Sequence, residues 1–270
     1  MKKIQRALAP TSIGQIHYLE CGSGMPVVML HINQQSSMLY REMMEAFDSG
    51  FRCIAPDYPS YGFSDPFEKE PEVLDFANVI VELMDHLGIS KINIIGEAFG
   101  TLVATEMARC HPDRIGRMLF LNCPFRPNED RSADVTLAQR PIDADGFPMT
   151  RTLQFVLAND AMHAPMNPTQ SWMDRVNKSN VLAGRNRRHA LDALWRYDLA
   201  SSLRAIGCPV EVLVGEHFYY AKYAGILSEY LGGAPVRIQP GARFCLGWER
   251  AAEVAAHAAR FFSPAAASAE

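Results

Sequence analysis

The stretch Ile94-Ile95-Gly96-Glu97-Ala98-Phe99-Gly100-Thr101-Leu102-Val103-Ala104-Thr105-Glu106-Met107-Ala108, IIGEAFGTLVATEMA, decides the fold. It joins a short apolar run, Lys91 to Ile95 (KINII), to a helical pattern from Phe99 to Cys110 that stops at His111-Pro112-Asp113. A short apolar run between turn signals suits a strand buried on both faces. The same alternation repeats outward. Pro26 to Ile32 (PVVMLHI) and Phe51 to Ala55 read as strands, the second ended by the turn PDYPSYG. Ser37 to Phe47 and Val73 to Leu87 read as helices. In the second, Phe76, Val79, Ile80, Leu83 and Leu87 share one face. Downstream, Ile115 to Leu121, Pro209 to Val214 and Pro235 to Ile238 read as strands. Tyr220 to Leu231 and Trp248 to Phe262 read as helices, and the tail SPAAASAE as frayed. Strands alternating with helices predict an α/β fold with a mostly parallel central sheet covered on both faces.

The alternation fails from Phe125 to about Ile206, where RPNEDRS, DADGFP and HAPMNPTQ interrupt helical patterns. That is too long for a structureless loop, so a helical insertion is expected. The domain reading is a core of residues 1–124 and 207–270 with an inserted helical cap at 125–206.

Composition bounds the function. The chain has 270 residues, 48% hydrophobic and 21% charged, with net charge −4. This excludes a disordered or collagen-like chain. Lys+Arg 26 against Asp+Glu 30 gives no concentrated positive surface, so no nucleic-acid partner is expected. No apolar run approaches the ~20 residues of a membrane-spanning helix. The start, MKKIQRALAPTSIG, lacks the apolar region of a secretion signal. Cys21, Cys53, Cys110, Cys123, Cys208 and Cys245 are scattered without a CxxC spacing, which points to reduced thiols and a cytoplasmic location. The histidines show neither HxH nor HExxH spacing, so no metal site and no cofactor is expected.

Taken in order, several segments resemble the α/β-hydrolase superfamily over nearly the whole chain. YLECGSGMPVVMLH resembles its second strand, turn and third strand, with the His of the HG oxyanion motif. APDYPSYGFSD resembles APDxxGxGxSD. IIGEAFGTLVATEMA sits where the nucleophile elbow, strand–GxSxG–helix, belongs. CPVEVLVGEH resembles the strand before the catalytic acid, and PGARFCLGWERAAEVAAHAARFF the catalytic-His loop and last helix. The insertion then corresponds to the cap, placed after the family's sixth strand. The Gly22-Ser23-Gly24 turn is the family's ordinary turn rather than a nucleotide loop.

Hydrolysis on this fold needs a hydroxyl at the elbow, a His to take its proton and an acid to orient that His. The resemblance puts those slots at Ala98, Phe244 and Phe218. Ala98 has either lost its hydroxyl naturally or had it removed by an engineered Ser→Ala change. Three altered positions together favour natural loss. Relocated groups could stand at Asn122, Cys123, Asp130, His163, His217, Cys245 or His257, but each has a plainer structural or solvated role.

In the oxyanion loop Ile32 replaces the family's glycine, and Asn33, Gln34 and Gln35 offer uncharged amides. Glu97 either faces the pocket as a general base or points away into backbone donors, and the second reading is the more ordinary. His31 could act as a base, although the resemblance makes it structural. Arg243 could bind a carboxylate or cover the rim. The expected cavity is apolar and aromatic, lined by Ala98, Phe99, Phe218 and Phe244. Ile32, Asn33, Gln34, Cys123, His217 and Arg243 are candidate ligand contacts, and the cap's Met149, Met162, Met166 and Met173 adaptable walls.

Three functions follow. The first is a receptor, carrier or pseudoenzyme that binds a small, largely apolar ligand. The second is a lyase, isomerase or cyclase using Glu97 or His31. The third is a hydrolase with a mutated or relocated nucleophile. A small molecule is the expected partner, and a homodimer stays open.

Overall fold

The computed structural model describes residues 3–48, 50–127 and 149–263. Asp130, the DADGFP turn and, beyond Ser263, the expected frayed tail lie outside them. Eight strands form one sheet in the order β1-β2-β4-β3-β5-β6-β7-β8. They are β1 Gln5–Thr11, β2 Gly14–Gly22, β3 Met25–Leu30, β4 Phe51–Pro56, β5 Ile92–Glu97, β6 Ile115–Leu121, β7 Val210–Gly215 and β8 Val236–Gln239. The β1–β2 and β2–β4 pairs are antiparallel, and every later pair is parallel. This mostly parallel order, with its antiparallel edge, is the architecture that the resemblance implies.

Helices flank the sheet. The core contributes α1 Arg41–Ala46, α2 Val73–His86 and α3 Phe99–Cys110. Among the described residues, four helices follow between β6 and β7: α4 Leu153–Asn159, α5 Gln170–Ala183, α6 His189–Arg196 and α7 Leu199–Leu203. The rest are α8 Ala224–Tyr230, α9 Leu246–Glu249 and α10 Ala251–Phe262. A reciprocal capping box between Glu72 and Asp75 starts α2. Thr152 and Thr169 cap α4 and α5 through their hydroxyls. Every residue of β5 is buried, the polar Asn93 and Glu97 included.

Several elements differ from their sequence reading. Strand β1 was not anticipated. It is an edge strand with only Ala9 fully buried, so its hydrophobic pattern is weak. The third strand ends at Leu30, and His31 and Ile32 turn out of it. The helix expected over 37–47 begins as a 3-10 turn, Ser37–Tyr40, before α1. The last helix breaks at Arg250 into α9 and α10.

Candidate functional site

The β5–α3 turn carries Ala98 at φ 46, ψ −110, a conformation that strains any residue with a Cβ. Backbone bonds hold it there. The Ala98 N–H donates to Leu121 O at 3.0 Å, and the Thr101 N–H donates to Ala98 O at 2.9 Å. The flanking glycines are steric necessities. A Cβ on Gly96 would lie 2.5 Å from Gly100 O, and one on Gly100 would lie 2.0 Å from Leu30 O. Two backbones thus cross at the tip, and the residue 98 methyl is left facing a cavity.

That cavity holds about 520 Å³, within the range of small-molecule sites. Ile32, Asn33, Gln34, Gln35, Ala98, Phe218 and Phe244 line it from the core. Val156, Trp172, Val176, Leu191, Leu194 and Trp195 line it from the segment between β6 and β7. The Phe218 and Phe244 rings are stacked, with centroids 5.9 Å apart and planes 17° apart.

Other sequence candidates do not reach this wall. His31 is fully buried. Its Nδ1 donates to Ile32 O at 2.7 Å, and its Nε2 accepts the Tyr58 N–H at 3.1 Å. Burial drives its pKa down to about 4, against the opposing effect of the Ile32 carbonyl. With both nitrogens bonded, the ring is a neutral loop anchor. Glu97 also points away. One carboxylate oxygen accepts the Leu246 N–H at 2.6 Å and the other the Gly247 N–H at 3.0 Å. Burial pushes this carboxyl up to about 7 despite those bonds. Glu97 fastens the end of β5 to the left-handed turn at Cys245, φ 58.

Phe99 is buried beneath the cavity, its ring against Phe76 at 5.0 Å and Tyr58 at 5.6 Å. The Cys123 thiol lies 3.6 Å from the Thr101 hydroxyl, and burial raises its pKa to about 12. His217 is half-exposed beside Glu216. Arg243 donates to Ala164 O and Pro165 O at 3.0 and 2.9 Å, tying its loop to the chain ahead of α5. Of the four candidate methionines, Met149 and Met162 are exposed and none lines the cavity.

Polar residues complete it, of which the sequence reading offered only His163 as a candidate. Arg126, Arg151, Arg187 and Arg188 all stand on the wall with Asp160 and His163. Arg151 Nη1 donates to Asp160 Oδ2 at 2.7 Å, while His163 Nδ1 bonds Asp160 Oδ1. Burial opposes ionisation of Asp160, but His163 and Arg151 outweigh it and hold its pKa below the usual value. His163 lies against Tyr219 and Phe244, at ring separations of 5.5 and 6.3 Å. The one legible signal was the basic run GRNRR at 184–188.

A family model described as alpha/beta hydrolase fold matches residues 25–190. Haloalkane dehalogenase 2 of Mycobacterium tuberculosis is 35% identical over 118 residues, 43% of this chain and 41% of that protein. The chain thus matches about two fifths of that relative's length. A hydrolase of (E)-2-((N-methylformamido)methylene)succinate from Acinetobacter baylyi is 26% identical over 220 residues, 78% of this chain and 80% of that one. The crystal structure of an epoxide hydrolase from Vigna radiata superposes with a TM-score of 0.77 at 20% identity, covering 96% of this chain and 97% of that one. At that identity the likeness shows fold alone. No helix among the described residues is long and apolar enough to cross a membrane.

Proposed function

The chain belongs to the α/β-hydrolase fold family, and from that premise we propose that it binds a small molecule beneath a helical cap without Ser-His-Asp ester hydrolysis. One observation carries this reading: Ala98 occupies the strained β5–α3 turn, and a methyl group has neither proton to lose nor lone pair to attack with. The stacked Phe218 and Phe244 stand in the slots that the resemblance gives to the acid and the base. Similar proteins are named as dehalogenases and hydrolases, but their chemistry does not transfer with the fold. The test is a fluorophosphonate probe with an ester panel. No labelling and no turnover above an unfolded control are expected. Either one would restore the hydrolase reading.

A second reading, a non-hydrolytic enzyme, is favoured by the Asp160–His163 pair on the cavity wall. A His oriented by a carboxylate is equipped for proton transfer without a covalent intermediate. This replaces Glu97 and His31 as the bases of that hypothesis. Native mass spectrometry would identify a co-purified ligand. Incubation of that ligand in D₂O should then give deuterium uptake or product, lost in His163→Gln with binding retained.

A further inference from the structure

We infer that the cavity takes a neutral aromatic carboxamide or lactam, a flat body whose adjacent C=O and N–H pair with the side-chain amides of Asn33, Gln34 and Gln35. This rests on the reading of the cavity as a small-molecule site and names its ligand class. The guanidinium groups on the wall are already engaged. Arg151 is paired with Asp160, which also bonds His163. Arg188 donates to Asp192 Oδ1 at 2.9 Å, and Arg187 to Gly184 O at 3.1 Å. Arg126 stands 5.4 Å from the Trp195 ring and 5.4 Å from the Tyr220 ring. An ionised ligand would have to shed its water shell and compete with those partners.

The amides are not engaged. Among the described residues, none hydrogen-bonds the side chain of Asn33, Gln34 or Gln35, and all three line the cavity. Gln35 is only 5% exposed, so little bulk water reaches an amide that opens onto the hollow. A polar group drawn out of water without a partner is costly, and a matching ligand recovers that cost. The loop holds these groups in place beforehand. His31 anchors it through both ring nitrogens, and Gln34 sits at φ 60, a left-handed conformation uncommon for a residue with a Cβ. Such strain persists where the surrounding structure over-determines it, and a pre-formed polar edge lowers the ordering cost of binding. A side-chain amide presents C=O and N–H side by side, so its complement accepts and donates from adjacent atoms. A carboxamide or lactam does both, whereas a ketone only accepts. The Phe218–Phe244 stack and the Trp172 and Trp195 indoles supply flat apolar faces for the ring.

The probes are cinnamamide, its methyl-ketone isostere benzalacetone, and cinnamate, read by calorimetry and by saturation-transfer NMR of the ligand. Cinnamamide should bind about tenfold tighter than the ketone, which keeps the acceptor and loses the donors. It should also bind about tenfold or more tighter than cinnamate. Gln35→Leu should close the gap between amide and ketone while ketone binding persists. The ligand series uses the unmodified protein, so it stands even if the variant fails to fold. Cinnamate binding as tightly as cinnamamide would overturn the neutral class. A ketone as tight as the amide, or a gap unchanged in folded Gln35→Leu, would overturn the amide pairing. Each of these leaves the cavity reading intact. No binding of any probe would overturn both.

Discussion

Phe218 and Phe244 form a near-parallel stack, one ring from the loop after β7 and the other from the loop before α9, 5.9 Å between centroids. On the proposed reading, this hydrocarbon contact fills the slots that the resemblance gives to the acid and the base. Ala98→Ser alone should therefore stay unlabelled by a fluorophosphonate, with ester turnover near that of the unmodified protein. A positioned base supplies about 10²–10⁴ in rate, and the slot the resemblance gives to that base holds Phe244. The triple change Ala98→Ser, Phe218→Asp and Phe244→His should gain labelling. Labelling of the single variant would reveal a base elsewhere.

The turn itself makes a stability prediction. Ala98→Gly should raise stability by about 1 kcal/mol, because relief at φ 46 exceeds the extra unfolded-state freedom of glycine. Gly100→Ala should prevent folding or cost several kcal/mol, since its Cβ would meet Leu30 O at 2.0 Å. Thermal melts of both variants check the pair.

Glu97 and His31 make opposite pH predictions. Glu97 rises from 4.5 to about 7 on folding, so the native state holds the extra proton. Its contribution is full below pH 4.5 and is lost as pH rises through 7. His31 falls from 6.5 to about 4, so its contribution is full above pH 6.5 and is lost as pH falls through 4. Between 4.5 and 6.5 the two slopes oppose. Above that window Glu97 acts alone, and stability should drop by about 1 kcal/mol towards pH 8. In Glu97→Gln that drop should vanish, and stability should climb with pH up to 6.5, the His31 limb alone. Urea titrations across pH would show an unchanged drop if Glu97 is not its source.

Arg175 on α5 grips the core. Its guanidinium donates to both Glu42 oxygens, at 2.8 and 2.5 Å, and to Met38 O at 3.1 Å. Arg175→Gln should change global stability by less than about 1 kcal/mol, as partly exposed pairs do. Amide exchange in α5 should nonetheless quicken, because the helix loses a direct tie to the core. Unchanged exchange would show that packing alone seats it.

The sheet was legible because β3, β5, β6 and β7 are buried over nearly their whole length, so apolar runs mark them. Strand β1 escaped because an exposed edge needs no such run. At the site, Ala98 was legible because its neighbours Gly96 and Gly100 announce the turn. The orientation of Glu97 was not, since its backbone partners, Leu246 and Gly247, lie some 150 positions away. Beyond the run GRNRR, the arginine cluster was hidden for a similar reason. Arg126, Arg151 and the adjacent Arg187 and Arg188 are far apart along the chain, and only the path between β6 and β7 brings them to one wall. Read singly, each arginine was part of a solvated, mixed-charge stretch.

None of the contacts that hold the β5–α3 turn involves the residue 98 side chain. The Ala98–Leu121 and Thr101–Ala98 bonds are backbone bonds, and the close crossing belongs to Gly96, Gly100 and Leu30. The turn therefore behaves as a socket whose shape is independent of what is plugged into it. Alanine is one nucleotide change from serine and one from aspartate. On this scaffold a lineage can exchange a nucleophile for a binding surface, or return, without passing through a misfolded ancestor.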